Sequence, residues 1–194
     1  MSGIAYKKVN ESFLPKYDSI QMSVNVTSCF HIDKINRGLG GFTITEKAVE
    51  PHVKDFRTDH GTSLTHDAEQ FDTTNWAFFM AFDGDLPIGG AAIASRTKEI
   101  NMLSGREDLA LLWDIRVDGA YKGKGVAQKL FDMAVDWSSS QGLVQMKIEC
   151  QNNNVPACKF YHKQGAVLSE IDEYAYYNEP QYRHEVMFVW FLDL

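Results

Sequence analysis

The chain has 194 residues, 44% of them apolar and 23% charged, with a formal net charge of −7. This mixture is that of an ordinary folded domain and excludes a disordered chain, a collagen-like repeat or a coiled coil. No apolar run is long enough for a membrane span, and the excess acid is spread over both halves, so neither a membrane nor a nucleic acid is expected as partner.

The first residues, Met1 to Lys8, contain no apolar segment of the kind a secretory signal needs. A cytoplasmic location with reduced thiols is therefore expected for the three cysteines, Cys29, Cys150 and Cys158, which form no C-x-x-C pair. Apolar residues alternate at Met22, Val24 and Val26, a strand signal within 22–35. Over 36–75 no period is readable. Gly38, Gly40 and Gly41 break the chain, and 57–75 is polar, which suggests a loop over a site or an irregular connection. The apolar run 76–82, the turn Asp83-Gly84-Asp85 and the run 88–95 predict a hairpin, and 110–117 predicts another strand. Over 122–140, Val126, Leu130, Ala134 and Trp137 fall on one helix face. Residues 143–150 alternate, with Val144, Met146, Ile148 and Cys150 on one side and Gln145, Lys147 and Glu149 on the other. A short helix over 155–164 is framed by Asn154 as N-cap, Pro156 in its first turn and Gly165 as its stop. A strand at 166–174 and a closing buried strand at 186–192 complete the order. The strand–helix–strand crossover from 110 to 150 makes its two strands parallel if they share a sheet, so the fold class is mixed α/β.

Lys122-Gly123-Lys124-Gly125-Val126-Ala127 lies between a strand and an amphipathic helix. Glycines there let several N–H groups point into one concavity, at the positive end of the helix, which suits a pyrophosphate. The Walker A pattern is absent. The dinucleotide pattern G-x-G-x-x-G fits Gly123 and Gly125 but meets Gln128 at its third glycine, and a ligand-free helix entry is a further reading.

A third pattern, Arg/Gln-x-x-Gly-x-Gly/Ala, fits the same loop with Lys122 in the first place. A second stretch, Asn154-Val155-Pro156-Ala157-Cys158-Lys159-Phe160-Tyr161-His162-Lys163-Gln164-Gly165-Ala166, follows after one strand. Together these resemble the GNAT acetyltransferase superfamily, with Ala166 where an aromatic residue is usual. Residues 110–194 are more closely similar to streptothricin acetyltransferases. The resemblance implies one GNAT domain over 1–194: an acceptor-side region at 1–75 and an acetyl-CoA-binding core at 76–194. Its sheet would be mostly antiparallel, with one splayed parallel strand pair and flanking helices.

By the same resemblance, acetyl-CoA is the cosubstrate. Backbone groups of Ile115, Arg116 and Val117 would pair with its arm, Lys122, Gly123, Lys124, Gly125, Val126 and Ala127 would hold the pyrophosphate, and Asn154 would touch the arm from the other side. Tyr161 stands where the family places its acid. The base that removes a proton from the amine is assigned to Glu149, with Asp114 as the alternative. Between 170 and 185 carboxylates mix with tyrosines, and Glu173, Tyr174, Tyr176 and Tyr177 are candidates to receive a cationic amine.

The acceptor is expected to be a small cationic molecule, a streptothricin-like antibiotic above all. A protein or peptide amine, or a non-catalytic acyl-CoA-binding role, are the alternatives. No metal is expected: His52, His60 and His66, with Asp59 and Asp67, lack the close spacing of a zinc motif. Pairing of strand 186–192 across a two-fold axis offers a route to a homodimer.

Overall fold

A computed structural model describes residues 3–56 and 63–194. The strands are β1 (Ala5–Val9), β2 (Ser23–Lys34), β3 (Phe42–Asp55), β4 (Ala77–Asp83), β5 (Leu86–Ser95), β6 (Leu109–Val117), β7 (Gln145–Gln151), β8 (Val167–Asp172) and β9 (Met187–Asp193). The α-helices are α1 (Leu14–Asp18), α2 (Leu64–Gln70), α3 (Val126–Ser140) and α4 (Val155–Lys163). Seven strands form one sheet in the order β1-β4-β5-β6-β7-β9-β8, and β2 and β3 form a second. The pairs β1–β4, β4–β5, β5–β6 and β8–β9 are antiparallel, and β6–β7 is parallel as the crossover requires. No described helix is long and apolar enough to cross a membrane.

The described residues fall into two compact units. The first contains the chain up to Ser23, Asp55–Ile148 and Leu192–Leu194; the second contains Val24–Lys54 and Glu149–Phe191. In the first, Met80, Ala81, Ile88, Ala91, Ala92, Ile93 and Leu109 are buried, as are Leu130 and Ala134 of α3. The helix face expected from the sequence is thus the buried one, although Trp137 is only half-buried. Gly90 has a steric reason: a Cβ there would lie 2.2 Å from the ring of the fully buried Tyr17. In the second unit Val26, Val155, Cys158, Tyr161, Phe188, Val189 and Trp190 are buried. Asn152 stitches this unit together. Its backbone N–H donates to Val186 O and its side-chain amide to Phe30 O, while Phe30 N–H donates to its carbonyl, each at 2.9 Å.

Several elements depart from the sequence expectation. The stretch 36–75 holds the long strand β3 and the helix α2; within it, Asp59 and His60 lie outside the described residues. Only Lys54 in β3 is buried outright, so this strand carries no apolar face for a period to reveal. β1 and α1 are additional, and short. In 143–150 the sides are less distinct than the alternation suggests: Lys147 on the polar side is buried, and Val144 on the apolar side is exposed. Strand 186–192 is not an edge: β9 lies between β7 and β8 in the sheet, so two-fold pairing through it has no free ladder to use.

Candidate active site

The register between β5 and β6 shifts at one point. Ala92 faces Asp114, but Ile93 faces Leu112, so Trp113 is the extra residue of a β-bulge. The parallel ladder to β7 ends at the same place, with Leu112 opposite Ile148. Beyond it β6 runs to Val117, paired with β5 through Asp114, Ile115, Arg116 and Val117. The other edge of those residues has no strand partner among the described residues, so its N–H and C=O groups can accept an extended ligand as an added strand.

From the end of β6 the chain enters the glycine loop. Gly123 and Gly125 have φ of +74° and +81°, the left-handed region that other residues enter only at a cost, and a Cβ at either would point into open space. Gly125 is the N-cap of α3, and no side chain caps that terminus. The N–H groups of its first turn are thus left without a side-chain acceptor. The Lys122 ammonium donates to Ser23 O, and burial holds its pKa below the usual lysine value. Lys124 lies over the Tyr121 ring at 4.9 Å.

Asp114 and Arg116 share one face of β6 and are both buried. Asp114 Oδ1 accepts from the Tyr17 hydroxyl at 2.7 Å and from Arg116 Nε at 2.9 Å, and Arg116 Nη2 donates to Oδ2 at 2.5 Å. Burial and the Asp114 charge push the Tyr17 phenol well above its usual range. Burial opposes the Arg116 charge, and Asp114 more than restores it. Both Asp114 oxygens are therefore committed to donors.

Glu149 is held differently, in the second unit. Its Oε1 accepts from the Tyr176 hydroxyl at 2.6 Å and from Gln151 Nε2 at 3.1 Å. Its Oε2 has no hydrogen-bond partner among the described residues. Burial raises its pKa above the usual carboxylate value; the Tyr176 bond and Lys54 pull it down, and Glu185 pushes it up. The Tyr176 phenol is raised in turn, by burial first and then by Glu149. Lys54 and Glu185 form a buried ion pair at 2.5 Å, and Asn153 Nδ2 donates to the other Glu185 oxygen at 2.9 Å.

The remaining expected site residues are spread over the second unit. Tyr161 is buried on α4, edge-on to Phe160 with centroids 5.6 Å apart. Asn154 caps α4 by accepting from Ala157 N–H at 3.4 Å. Of the proposed substrate residues, Tyr176 meets Glu149, Tyr174 and Tyr177 are exposed, and Glu173 pairs with Lys34. Cys150 and Cys158 are buried free thiols with sulfurs 3.4 Å apart. Among the described residues no group of three or more His, Cys, Asp and Glu side chains is arranged to hold a metal.

The model of the acetyltransferase (GNAT) family matches residues 44–166. The chain belongs to the GNAT acetyltransferases. It is 32% identical over 151 residues to a streptothricin acetyltransferase of Escherichia coli, covering 78% of this chain and 76% of that one. To a streptothricin acetyltransferase of Streptomyces lavendulae it is 23% identical over 159 residues, covering 82% and 79%. A Bacillus anthracis (strain Ames) protein described as a streptothricin acetyltransferase, solved with acetyl coenzyme A, has the same fold. The TM-score is 0.76 at 22% identity over 99% of this chain and 98% of that one. A nourseothricin acetyltransferase superposes with a TM-score of 0.77 at 20% identity over 99% of both chains.

No motif in the sequence announced the Tyr17–Asp114 bond or the Lys54–Glu185 pair. Tyr17 lies 97 positions from Asp114, and Lys54 lies 131 positions from Glu185. Gln151 had a weak signal, being two residues from Glu149 and so on the same side of the strand.

Proposed function

We propose that the chain is one acetyltransferase domain that moves the acetyl group of acetyl-CoA to a primary amine of a small cationic molecule of the streptothricin type. The observation that carries this reading is the run from the Trp113 bulge to the start of α3. An unpaired strand edge at 114–117 leads into a loop with two left-handed glycines and an uncapped helix N-terminus. An extended arm ending in a pyrophosphate fits that pair of features, the arm on the edge and the anion on the loop. The 32% identity to a streptothricin acetyltransferase over 78% of the chain supports the acceptor.

When bound, acetyl-CoA supplies an acyl thioester. The amine must lose a proton to attack it, and Glu149 is the group assigned to take that proton. One of its oxygens is open, and burial raises its pKa toward the range a base needs, whereas both Asp114 oxygens are engaged. Asp114 is read as the anchor of Arg116 and Tyr17. Tyr161 is assigned to return a proton to the departing thiolate, and N–H groups of the β6 edge to face the developing oxyanion. Asn154 is assigned to contact the arm as well as to keep its capping bond to Ala157 N–H. Glu173, Tyr174 and Tyr177 are assigned to the mouth that receives the cation.

Titration calorimetry with acetyl-CoA, followed by thiol release with streptothricin and with N-terminal peptides, tests the reading. Micromolar binding and turnover of streptothricin are expected. Absence of binding removes the acetyl-CoA assignment, and turnover restricted to peptides moves the acceptor to a protein amine.

A further inference from the structure

The bulge has a second consequence. Trp113 sits out of register with β5, and its indole Nε1 donates to Asp67 Oδ2 at 2.8 Å. Phe71 meets the Trp113 ring edge-on at 5.6 Å, and Trp76 lies 5.2 Å from it. Trp76 is buried and fixed by donating Nε1 to Thr97 Oγ1 at 2.8 Å, so it forms a floor. Asp67, Phe71 and Trp113 are each half-buried and form the rim. Asp67 is placed from two directions. Trp113 holds its carboxylate, and the helix that carries it is anchored by Asp18, which accepts from Leu64 N–H at 2.8 Å and from Thr65 N–H at 3.0 Å. The second oxygen, Oδ1, has no hydrogen-bond partner among the described residues.

Aromatic faces beside a half-buried carboxylate are the chemistry that recognises an ammonium or guanidinium group. The ring quadrupoles attract the cation and the carboxylate completes its charge. A structural role alone would need the indole N–H bond, but not a second unpaired carboxylate oxygen on an aromatic rim. The rim also starts at the residue where the unpaired edge of β6 begins, and that edge is the proposed seat of the acyl carrier.

We propose that Asp67, Phe71 and Trp113 form a cation subsite that holds a charged group of the acceptor other than the amine being acetylated. It rests on the acetyl-transfer reading above and adds a specificity determinant to it: acceptors with two or more cationic groups are favoured over monoamines.

Steady-state kinetics on Asp67→Asn test this, with streptothricin and spermidine as probes and acetyl-CoA saturating. Asparagine keeps an oxygen for Trp113 Nε1 and removes the charge. KM for each polycationic probe should rise about fivefold, the order of one screened charge pair, the aromatic contacts being kept. The dependence of that KM on ionic strength should weaken, while kcat and KM for acetyl-CoA stay within about twofold. Phe71→Leu, which keeps apolar bulk and loses the quadrupole, should raise the same KM about threefold. Wild-type turnover with both variants unchanged overturns the subsite and leaves the acetyl-transfer reading intact. Equal losses in kcat and in KM for acetyl-CoA also overturn it, by showing a structural role. A wild type that binds acetyl-CoA but acetylates neither probe removes the cationic-acceptor reading, and the subsite with it.

Discussion

Replacing Tyr176 with phenylalanine separates what the phenol does for Glu149 from what its ring does. In the wild type burial drives the Glu149 carboxyl toward its neutral form, and the Tyr176 hydroxyl, 2.6 Å from Oε1, favours the ionised form. A hydrogen bond to a charged group contributes about 1.5–3 kcal/mol. Phenylalanine removes that donor, and Gln151 Nε2 at 3.1 Å remains on the same oxygen. The carboxyl pKa then moves further up, so the acid limb of kcat/KM shifts to higher pH. At a pH on that limb the loss should be about tenfold or more, since about 1.4 kcal/mol is one decade in rate. On the alkaline plateau, where Glu149 is ionised in both proteins, most of the activity should return. The assay is thiol release from acetyl-CoA with streptothricin across the pH range. A limb that stays in place, or moves to lower pH, refutes the claim that Tyr176 tunes the base.

Three further substitutions test other parts of the structure. Glu149→Gln should abolish the acid limb and also change stability with a defined sign. A carboxyl raised by burial costs nothing while protonated in both states, near and below 4.5, and destabilises the fold as pH rises through its folded value. The variant's Tm should therefore exceed that of the wild type at neutral pH and converge with it in acid; a gain that persists in acid would contradict this. Asp114→Asn should lower stability to urea by about 3–5 kcal/mol, because it leaves the buried Arg116 guanidinium uncompensated. A loss below about 1 kcal/mol would show that the pair is not what holds this face of β6, and would reopen Asp114 as the base. Gly90→Ala puts a methyl group inside the ring of the fully buried Tyr17, and destabilisation of at least about 1–3 kcal/mol is expected from overpacking, read as a drop in Tm.

The parts of this fold that were legible in the sequence are those whose burial leaves a clear apolar signal, continuous where both faces are covered and periodic where one is. The hairpin of β4 and β5, with Gly84 at its turn, shows as two apolar runs; α3 and β7 show as periodic ones, and the Asn154-capped helix shows by its cap and its stop. β3 was not legible, because pairing with β2 rather than burial makes it a strand. The site divides along the same line. The glycine loop announces itself, since φ values of +74° and +81° demand residues that stand out in a sequence. The partners of Asp114 and Glu149 do not: Tyr17 and Tyr176 are ordinary aromatic residues until the fold brings them to carboxylates 97 and 27 positions away. Periodicity also cannot show a bulge, so 110–117 reads as an unbroken strand.

That bulge ties several features to one inserted residue. With Trp113 out of register, β6 presents Asp114 and Arg116, opposite Ala92 and Gly90 of β5, together on the Tyr17 face. A regular strand through this point would shift every later residue by one and turn Asp114 and Arg116 to the opposite face, where α3 packs. Two charged groups would then meet the apolar side of a helix, and their hydrogen bonds to each other and to Tyr17 would be lost. The ladder to β7 ends at the same residue, which leaves the strand edge at 114–117 unpaired, and the indole is turned toward Asp67. The buried ion pair thus works as a register lock. It is costly to move as a pair, and it fixes the side of β6 on which the unpaired backbone and the aromatic rim are presented. On this argument the cost of breaking the pair should appear in catalysis as well as in stability. Arg116→Met at a temperature where the variant is still folded should lower kcat/KM for acetyl-CoA, because a strand free to slip no longer holds its edge in one register. Unchanged kinetics in a measurably destabilised Arg116→Met enzyme would show that the bulge is held by the aromatic cluster alone.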